Sequence, residues 1–181
     1  MSTADKSNEI TAIPELLAAL DLQGATVTID AIGTQHEIAR TIVEAGADYV
    51  LALKDNQPRL AEGIRQWFAA AHDDRLESSY WEHTEHDKGH GRLETRVCRV
   101  SDDVAWLTGA GLHWAGIERL VMLERTRQIG EKVTTECCYY ISSKAVKAAQ
   151  MAQIIRAHWG HRKSTALGPG RVLGRGCQPD P

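Results

Sequence analysis

Asp30 has the clearest capacity for chemistry in this 181-residue chain, because it closes a short, apolar, β-branched run from Ala25 to Ile29. A carboxylate delivered by a buried strand is costly unless a cation or hydrogen bonds receive it. A metal ion can do so, and so can the turn or helix N-terminus that such an aspartate caps; spacing leaves both open. Lys54, Asn56 and Gln57 end a second apolar run, Tyr49 to Leu53. A cation with two amides suits contact with a phosphate backbone, while turn chemistry around Asn56 and Pro58 explains the same residues. His83, His86 and His90 lie among Glu82, Glu85 and Asp87. They lack the spacing of a helical HExxH pair, so a solvated or substrate-contacting turn is expected rather than zinc. Arg92, Glu94 and Arg96 alternate onto one face of a strand, either as paired surface charges or as a phosphate-contacting ladder. Arg156 and His158 fall on the last turn of a final helix, as dipole partners or as part of an active-site helix. Trp67, Trp81, Trp106 and Trp114 are expected to pack rather than to stack on bases.

The elements that position these groups centre on residues 25–57. A strand at Ala25 to Ile29 and a helix at Gln35 to Ala45, with Ile38, Ala39, Ile42 and Val43 at helical spacing, lead to a strand at Tyr49 to Leu53. A right-handed crossover makes the two strands parallel neighbours, so Asp30 and the Lys54 cluster share one sheet edge. Before this unit, Ile10 to Leu22 reads as a helix with Pro14 in its first turn and Leu16, Leu17 and Leu20 on its buried face. After it, Arg59 to His72 reads as an amphipathic helix burying Leu60, Ile64, Trp67 and Phe68. Ser79 to Glu85 and Arg92 to Val100 form a hairpin around HDKGHG, and a short helix surrounds Val104, Trp106 and Leu107. Glu118 to Gln128 and Lys132 to Ile141 form a second hairpin around Ile-Gly-Glu. Ser142 or Ser143 then caps a helix from Ala145 to about Trp159, with Val146, Ala149, Ile154 and Ile155 as its apolar positions. From His161 the Gly- and Pro-rich remainder reads as disordered.

The length fits one domain. No apolar run approaches the ~20 residues of a membrane helix, and the N-terminus has no signal-peptide pattern, so a cytoplasmic protein without a membrane partner is expected. Cys98, Cys137, Cys138 and Cys177 show no CxxC spacing and read as reduced thiols, the vicinal pair pointing to opposite faces of a strand. The net charge of −3 argues against a dedicated nucleic-acid-binding module, but residues 1–90 carry 7 Lys+Arg against 16 Asp+Glu and residues 91–181 carry 14 against 8. A basic second half beside an acidic sheet edge suits a phosphodiester substrate, or is no more than a solvated surface.

Five segments in order, ADKSNEITAIPELL, TIDAIGTQHEIARTIVEAGADYVLALKDNQ, HGRLETR, CYYISS and IRAHWG, together resemble the H-repeat-associated insertion-sequence transposases of the DDE superfamily. The resemblance covers most of residues 4–160. It implies an α/β, RNase H-like fold in which two aspartates and a glutamate hold two Mg2+ or Mn2+ ions for cleavage and strand transfer of DNA. Asp30 matches the second aspartate and becomes the expected catalytic and metal-binding residue. Lys54, Asn56, Gln57, Arg92, Arg96, Arg156 and His158 become expected DNA contacts, with the element's terminal repeats as partner and a homodimer in the intact family. Residues 1–160 are then a partial catalytic domain carrying a β-rich insertion at about 78–141, and 161–181 a tail.

Two departures qualify this. The family's first aspartate lies on an earlier strand, in a segment upstream of anything present here. Its glutamate lies in a segment near IENRLHWVLDV that follows HWG, where this chain has HRKSTALGPGR. Back-translating His161 onward and shifting by one nucleotide permits Ile-Glu-Asn-Arg-Leu-His-Trp-Val-Leu-Asp-Val, which reads as a frameshift after Gly160. The expectation is a fragment without cleavage activity and of low stability, since sheet strands are missing and a parallel edge is exposed. The competing expectation is a non-catalytic DNA-binding product that represses intact copies.

Overall fold

The computed structural model describes residues 12–54, 56–73, 80–89 and 92–164, with the backbone alone for 159–164. The first helix, α1, covers residues 12–19. β1 (Thr26–Ile29) then runs through a 3-10 turn (Ala31–Gly33) into α2 (His36–Glu44), β2 (Asp48–Leu53) and α3 (Pro58–Asp73). β3 (Trp81–Gly89), β4 (Arg92–Ser101), α4 (Ala105–Gly109), β5 (Arg119–Ile129), β6 (Lys132–Ser142) and α5 (Ala148–Ser164) follow.

All six strands form one sheet in the order β1-β2-β6-β5-β4-β3. β1 and β2 are parallel, as the crossover through α2 requires, and every other pairing is antiparallel. The β5–β6 hairpin closes through Gly130 at φ 59°, a left-handed position that glycine adopts without a Cβ clash. β6 is the hinge of the architecture: Leu51 lies opposite Ile141 on one side, and Ile141 lies opposite Leu120 on the other. The β-rich segment is thus continuous with the strand that follows the Asp30 turn.

Because side chains alternate across a strand, the sheet presents two faces. Tyr49, Leu51, Leu53, Leu120 and Ile141 face one way and bury against Ile38, Ile42, Leu60, Ile64 and Phe68 of α2 and α3. Val50, Val100, Val121, Leu123 and Tyr140 face the other way and bury against Ala148, Met151, Ala152 and Ile155 of α5. The result is a helix–sheet–helix sandwich, a partial RNase H-like fold.

Several local expectations shift. In α1 only Leu17 is buried, with Ile13 packed one turn before it, while Leu16 is 60% and Leu20 53% exposed. Leu20 lies beyond the helix end, and Leu16 lies about 100° around the axis from Leu17. α5 starts at Ala148, three residues later than read. Its buried stripe is 148, 151, 152 and 155, the i, i+3, i+4, i+7 series; Ala149 is exposed and Ile154 half-buried. Ser142 and Ser143 stand before that start and bind β2: Ser142 Oγ donates to Tyr49 O at 2.7 Å, and Ser143 Oγ accepts from Tyr49 N at 2.9 Å. β3 continues to Gly89, so His86, Asp87 and Lys88 are strand residues rather than turn residues. α5 runs to Ser164, four residues into the segment read as tail. The reading of disorder beyond it, with Cys177, and that of a frayed N-terminus both lie outside the described residues.

Candidate functional site

Asp30 caps the 3-10 turn. Its Oδ1 accepts from Ala31 N at 2.9 Å, and the turn closes through Gly33 N to Asp30 O at 3.0 Å. The turn needs a glycine at position 33, since a Cβ there would run into the side chains of Ile29 and Ile13. The end of β2 grips this turn from below. Thr34, 0% exposed, donates its hydroxyl to Ala52 O at 2.6 Å. Asn56 Nδ2 donates to Ala31 O and to Thr34 O, the latter at 3.2 Å, and Gln57 Nε2 also reaches Thr34 O at 3.2 Å. Their amides fix the backbone next to Asp30. Lys54 is exposed at the same strand end, its N–H donating to Asn56 Oδ1 at 3.3 Å.

The opposite wall comes from the far end of the chain. α5 brings His158 across the sheet so that its Nδ1 lies 2.9 Å from Thr28 Oγ1. Asp30, Thr28 and His158 line one small notch, together with Val50, Ala52 and Tyr140. Residues 130 positions apart in sequence therefore share the strand end, a juxtaposition only the β2–β6 pairing and the return of α5 create.

A second, larger cleft lies on the same sheet face, where β3, β4 and β5 extend past α5. At its floor Glu94 is 3% exposed and surrounded by guanidinium groups: Arg96 bonds it directly, Arg127 lies at 3.6 Å, Arg92 at 3.7 Å and Arg125 at 3.8 Å. Burial alone would raise the Glu94 carboxyl, but Arg96, Arg127 and Arg125 outweigh it and hold the group below the usual carboxylate range. Arg156 of α5 closes the side by pairing with Glu85 at 2.9 Å and Asp87 at 3.9 Å on β3. Of the sequence candidates, Arg92, Arg96 and Arg156 thus converge here, and Asp30 and His158 converge at the notch. Ile155 lines both cavities. Arg125 and Arg127 were missed, although their alternation on β5 opposite Arg96 and Glu94 was a signal in the register.

The histidine group divides. His83 lies 3.5 Å from Glu85, while His86 turns to the other face and meets Thr95 Oγ1 at 3.1 Å; His90 is outside the described residues. The tryptophans pack or pair with charges: Trp114 stacks on His36 at 4.0 Å, Trp67 donates to Asp103 at 3.0 Å, and Trp81 lies under Arg119 and Lys147. Among the described residues no three His, Cys, Asp or Glu side chains gather to hold a metal ion. The notch offers one carboxylate, one imidazole and one threonine hydroxyl. Hard divalent cations take six or more oxygens and favour several carboxylates, so the described donor set does not fit a two-metal centre. No described helix is long and apolar enough to cross a membrane.

A parallel strand pair ending in an aspartate, joined to an antiparallel extension and backed by a returning helix, is the catalytic-domain architecture of the RNase H-like class, here in part. The family model described as a transposase DDE domain matches residues 1–160, and the chain belongs to that family. It is 47% identical over 138 residues to "Uncharacterized protein in dhlA 3'region" of Xanthobacter autotrophicus, covering 76% of this chain and 45% of that protein. It is 40% identical over 162 residues to "Putative transposase YncI" of Escherichia coli O157:H7, covering 88% of this chain and 41% of that one. Against "H repeat-associated putative transposase YhhI" of Escherichia coli K12 the identity is 39% over 166 residues, covering 88% and 43%. The chain spans less than half the length of these relatives. No solved structure matches it.

Proposed function

We propose that these residues are the middle of a DDE transposase catalytic domain, whose whole form cleaves DNA and transfers strands, and that this chain alone does not cleave. Asp30 is the second catalytic carboxylate by descent. The observation carrying this is the notch: the strand end bearing Asp30 meets α5 at His158, within the IRAHWG segment. Position 162 lies one helical turn beyond His158 on the same face. There the family's glutamate would face Asp30, and this chain has Arg162. A frameshift after Gly160 explains that exchange, and the family match ending at residue 160 supports it. With one carboxylate in the described notch, two divalent ions have no working geometry. The turn clamp of Thr34, Asn56 and Gln57 serves to position Asp30, and Lys54 stays exposed toward DNA.

A nicking assay on terminal-repeat DNA with Mg2+ or Mn2+ tests this. The expected result is no cleavage above that of Asp30→Asn; Asp30-dependent cleavage by this chain would overturn it. Sequencing the locus should reveal an IEN-coding frame downstream of Gly160.

A second reading is favoured by the arginine cleft: a non-catalytic DNA-binding product that occupies terminal repeats and represses intact copies. It requires tighter binding to terminal-repeat DNA than to unrelated duplex at equal salt.

A further inference from the structure

We propose that the Glu94-centred cleft is a phosphodiester-binding site, with Arg92, Arg96, Arg125 and Arg127 receiving backbone phosphates of a nucleic-acid strand and Glu94 holding those arginines in place. The proposal rests on the DNA-processing reading above and assigns that reading a second contact surface, apart from the Asp30 notch.

The chemistry starts from an imbalance of donors. Each guanidinium carries five N–H groups, whereas an ionised carboxylate offers about four lone-pair sites. Four arginines around one glutamate therefore cannot all be satisfied by it. The geometry bears this out: Arg96 Nη1, Arg125 Nε and Arg127 Nε are inaccessible to solvent and have no hydrogen-bond partner among the described residues. Glu136 reaches Arg125 only at 3.8 Å. A buried donor without an acceptor costs about 1–3 kcal/mol, more when charged, so an oxyanion entering the cleft would relieve several such costs at once.

Electrostatics point the same way. Arg96 and Arg125 sit directly opposite each other on β4 and β5, a like-charge cross-strand pair that is unfavourable by itself. Glu94, one position along the same face and opposite Arg127, offsets that repulsion. Among the lining residues five arginines face Glu85, Asp87 and Glu94, an excess of two positive charges. Glu85 and Asp87 are engaged by Arg156 at the wall, which leaves the floor positive. Arg92 and Arg127 are half-exposed at its open end, whereas Arg96 is mostly covered. The site is thus graded from an accessible mouth to a donor-rich floor.

A polymer fits better than a free anion because of what adjoins the cleft. Ile155 lines both the cleft and the Asp30 notch; Arg156 lies in the first and His158 in the second. A strand whose phosphates rest on the arginines is led along α5 to Asp30. Guanidinium groups suit this role through paired N–H donation to phosphate oxygens.

The test uses the full chain and the variant Arg92→Gln/Arg127→Gln, which leaves Glu94 bonded to Arg96, with Arg65→Gln as a control arginine on α3. Fluorescence anisotropy with an unrelated-sequence DNA duplex is read from 50 to 200 mM salt, and thermal shift with inorganic pyrophosphate reads small-anion binding. The double variant is expected to lose at least tenfold in DNA affinity at 100 mM salt and to flatten the log–log salt slope by about 2, roughly one per removed cation. Arg65→Gln should change affinity less than twofold, and the pyrophosphate shift should vanish in the double variant alone. DNA affinity and slope unchanged in the double variant would overturn the cleft while leaving the reading of Asp30 intact. A wild-type chain that takes pyrophosphate through these arginines but binds no DNA would overturn the nucleic-acid assignment and, with it, the DNA-processing reading. Single Arg92→Gln, at the exposed mouth, gives the same test if the double variant melts early.

Discussion

Replacing Asn56 by alanine removes two hydrogen bonds that hold the turn following Asp30, those from Nδ2 to Ala31 O and to Thr34 O. Neither carbonyl is orphaned: Ala31 O still accepts from Thr34 N at 3.1 Å, and Thr34 O still accepts from Gln57 Nε2. The cost is therefore that of two net hydrogen bonds without a desolvation penalty, about 2 kcal/mol at ~1 kcal/mol each. Asn56→Ala/Gln57→Ala, by contrast, leaves Thr34 O without either amide and should cost about 1 kcal/mol more than the sum of the single changes. Urea denaturation gives the global values, and amide exchange at Gly33 and Thr34 gives the local ones. Opening of the turn should become about 10–30-fold easier in Asn56→Ala, at 1.4 kcal/mol per decade, with protection at Val121 in the centre of β5 following global stability alone. An Asn56→Ala change below ~0.5 kcal/mol, or strictly additive single changes, would refute the clamp.

Glu94→Gln should destabilise the chain by about 3–5 kcal/mol at neutral pH, because it removes the one carboxylate within four arginines. Its folded-state pKa is depressed, so its contribution is fully present above the unfolded value near ~4.3 and is lost as pH falls through the lower folded value. Urea midpoints of the wild type should accordingly drop below pH ~4.3 more steeply than those of Glu94→Gln. Burial pushes the Cys98 thiol up to about 12, with Glu85 adding to the rise and Arg99 opposing it. A thiol reagent at pH 8 should leave Cys98 unmodified in the folded chain and modify it in urea, as mass mapping can read. Gly33→Ala should cost about 1–3 kcal/mol through overpacking against Ile29 and Ile13, seen as a lower urea midpoint.

Much of the fold was legible because its signals are local. The β-branched run before Asp30, the 3.6-residue period of α2 and α3 and the glycine turn of the β5–β6 hairpin each imply an element without reference to the rest of the chain. Errors arose where phase or termination depends on a distant partner. α5 looked as if Ser142 or Ser143 began it, yet both serines are held by β2, so the helix starts later and its buried stripe moves to Ala148, Met151, Ala152 and Ile155. Leu16 and Leu20 had apolar character but no neighbour to bury them.

By itself, then, the sequence determined the order of elements, the strand end that presents Asp30, the family, and the break in resemblance after Gly160. Only the tertiary structure decided that His158 joins Asp30, that Asn56 and Gln57 turn inward to clamp a loop, and that Arg125 and Arg127 complete a ring around Glu94. The physical reason is separation. Periodicity reports which side of its own element a residue occupies, whereas a site is made by pairing register and helix return, which bring together side chains from 31 to 130 positions apart.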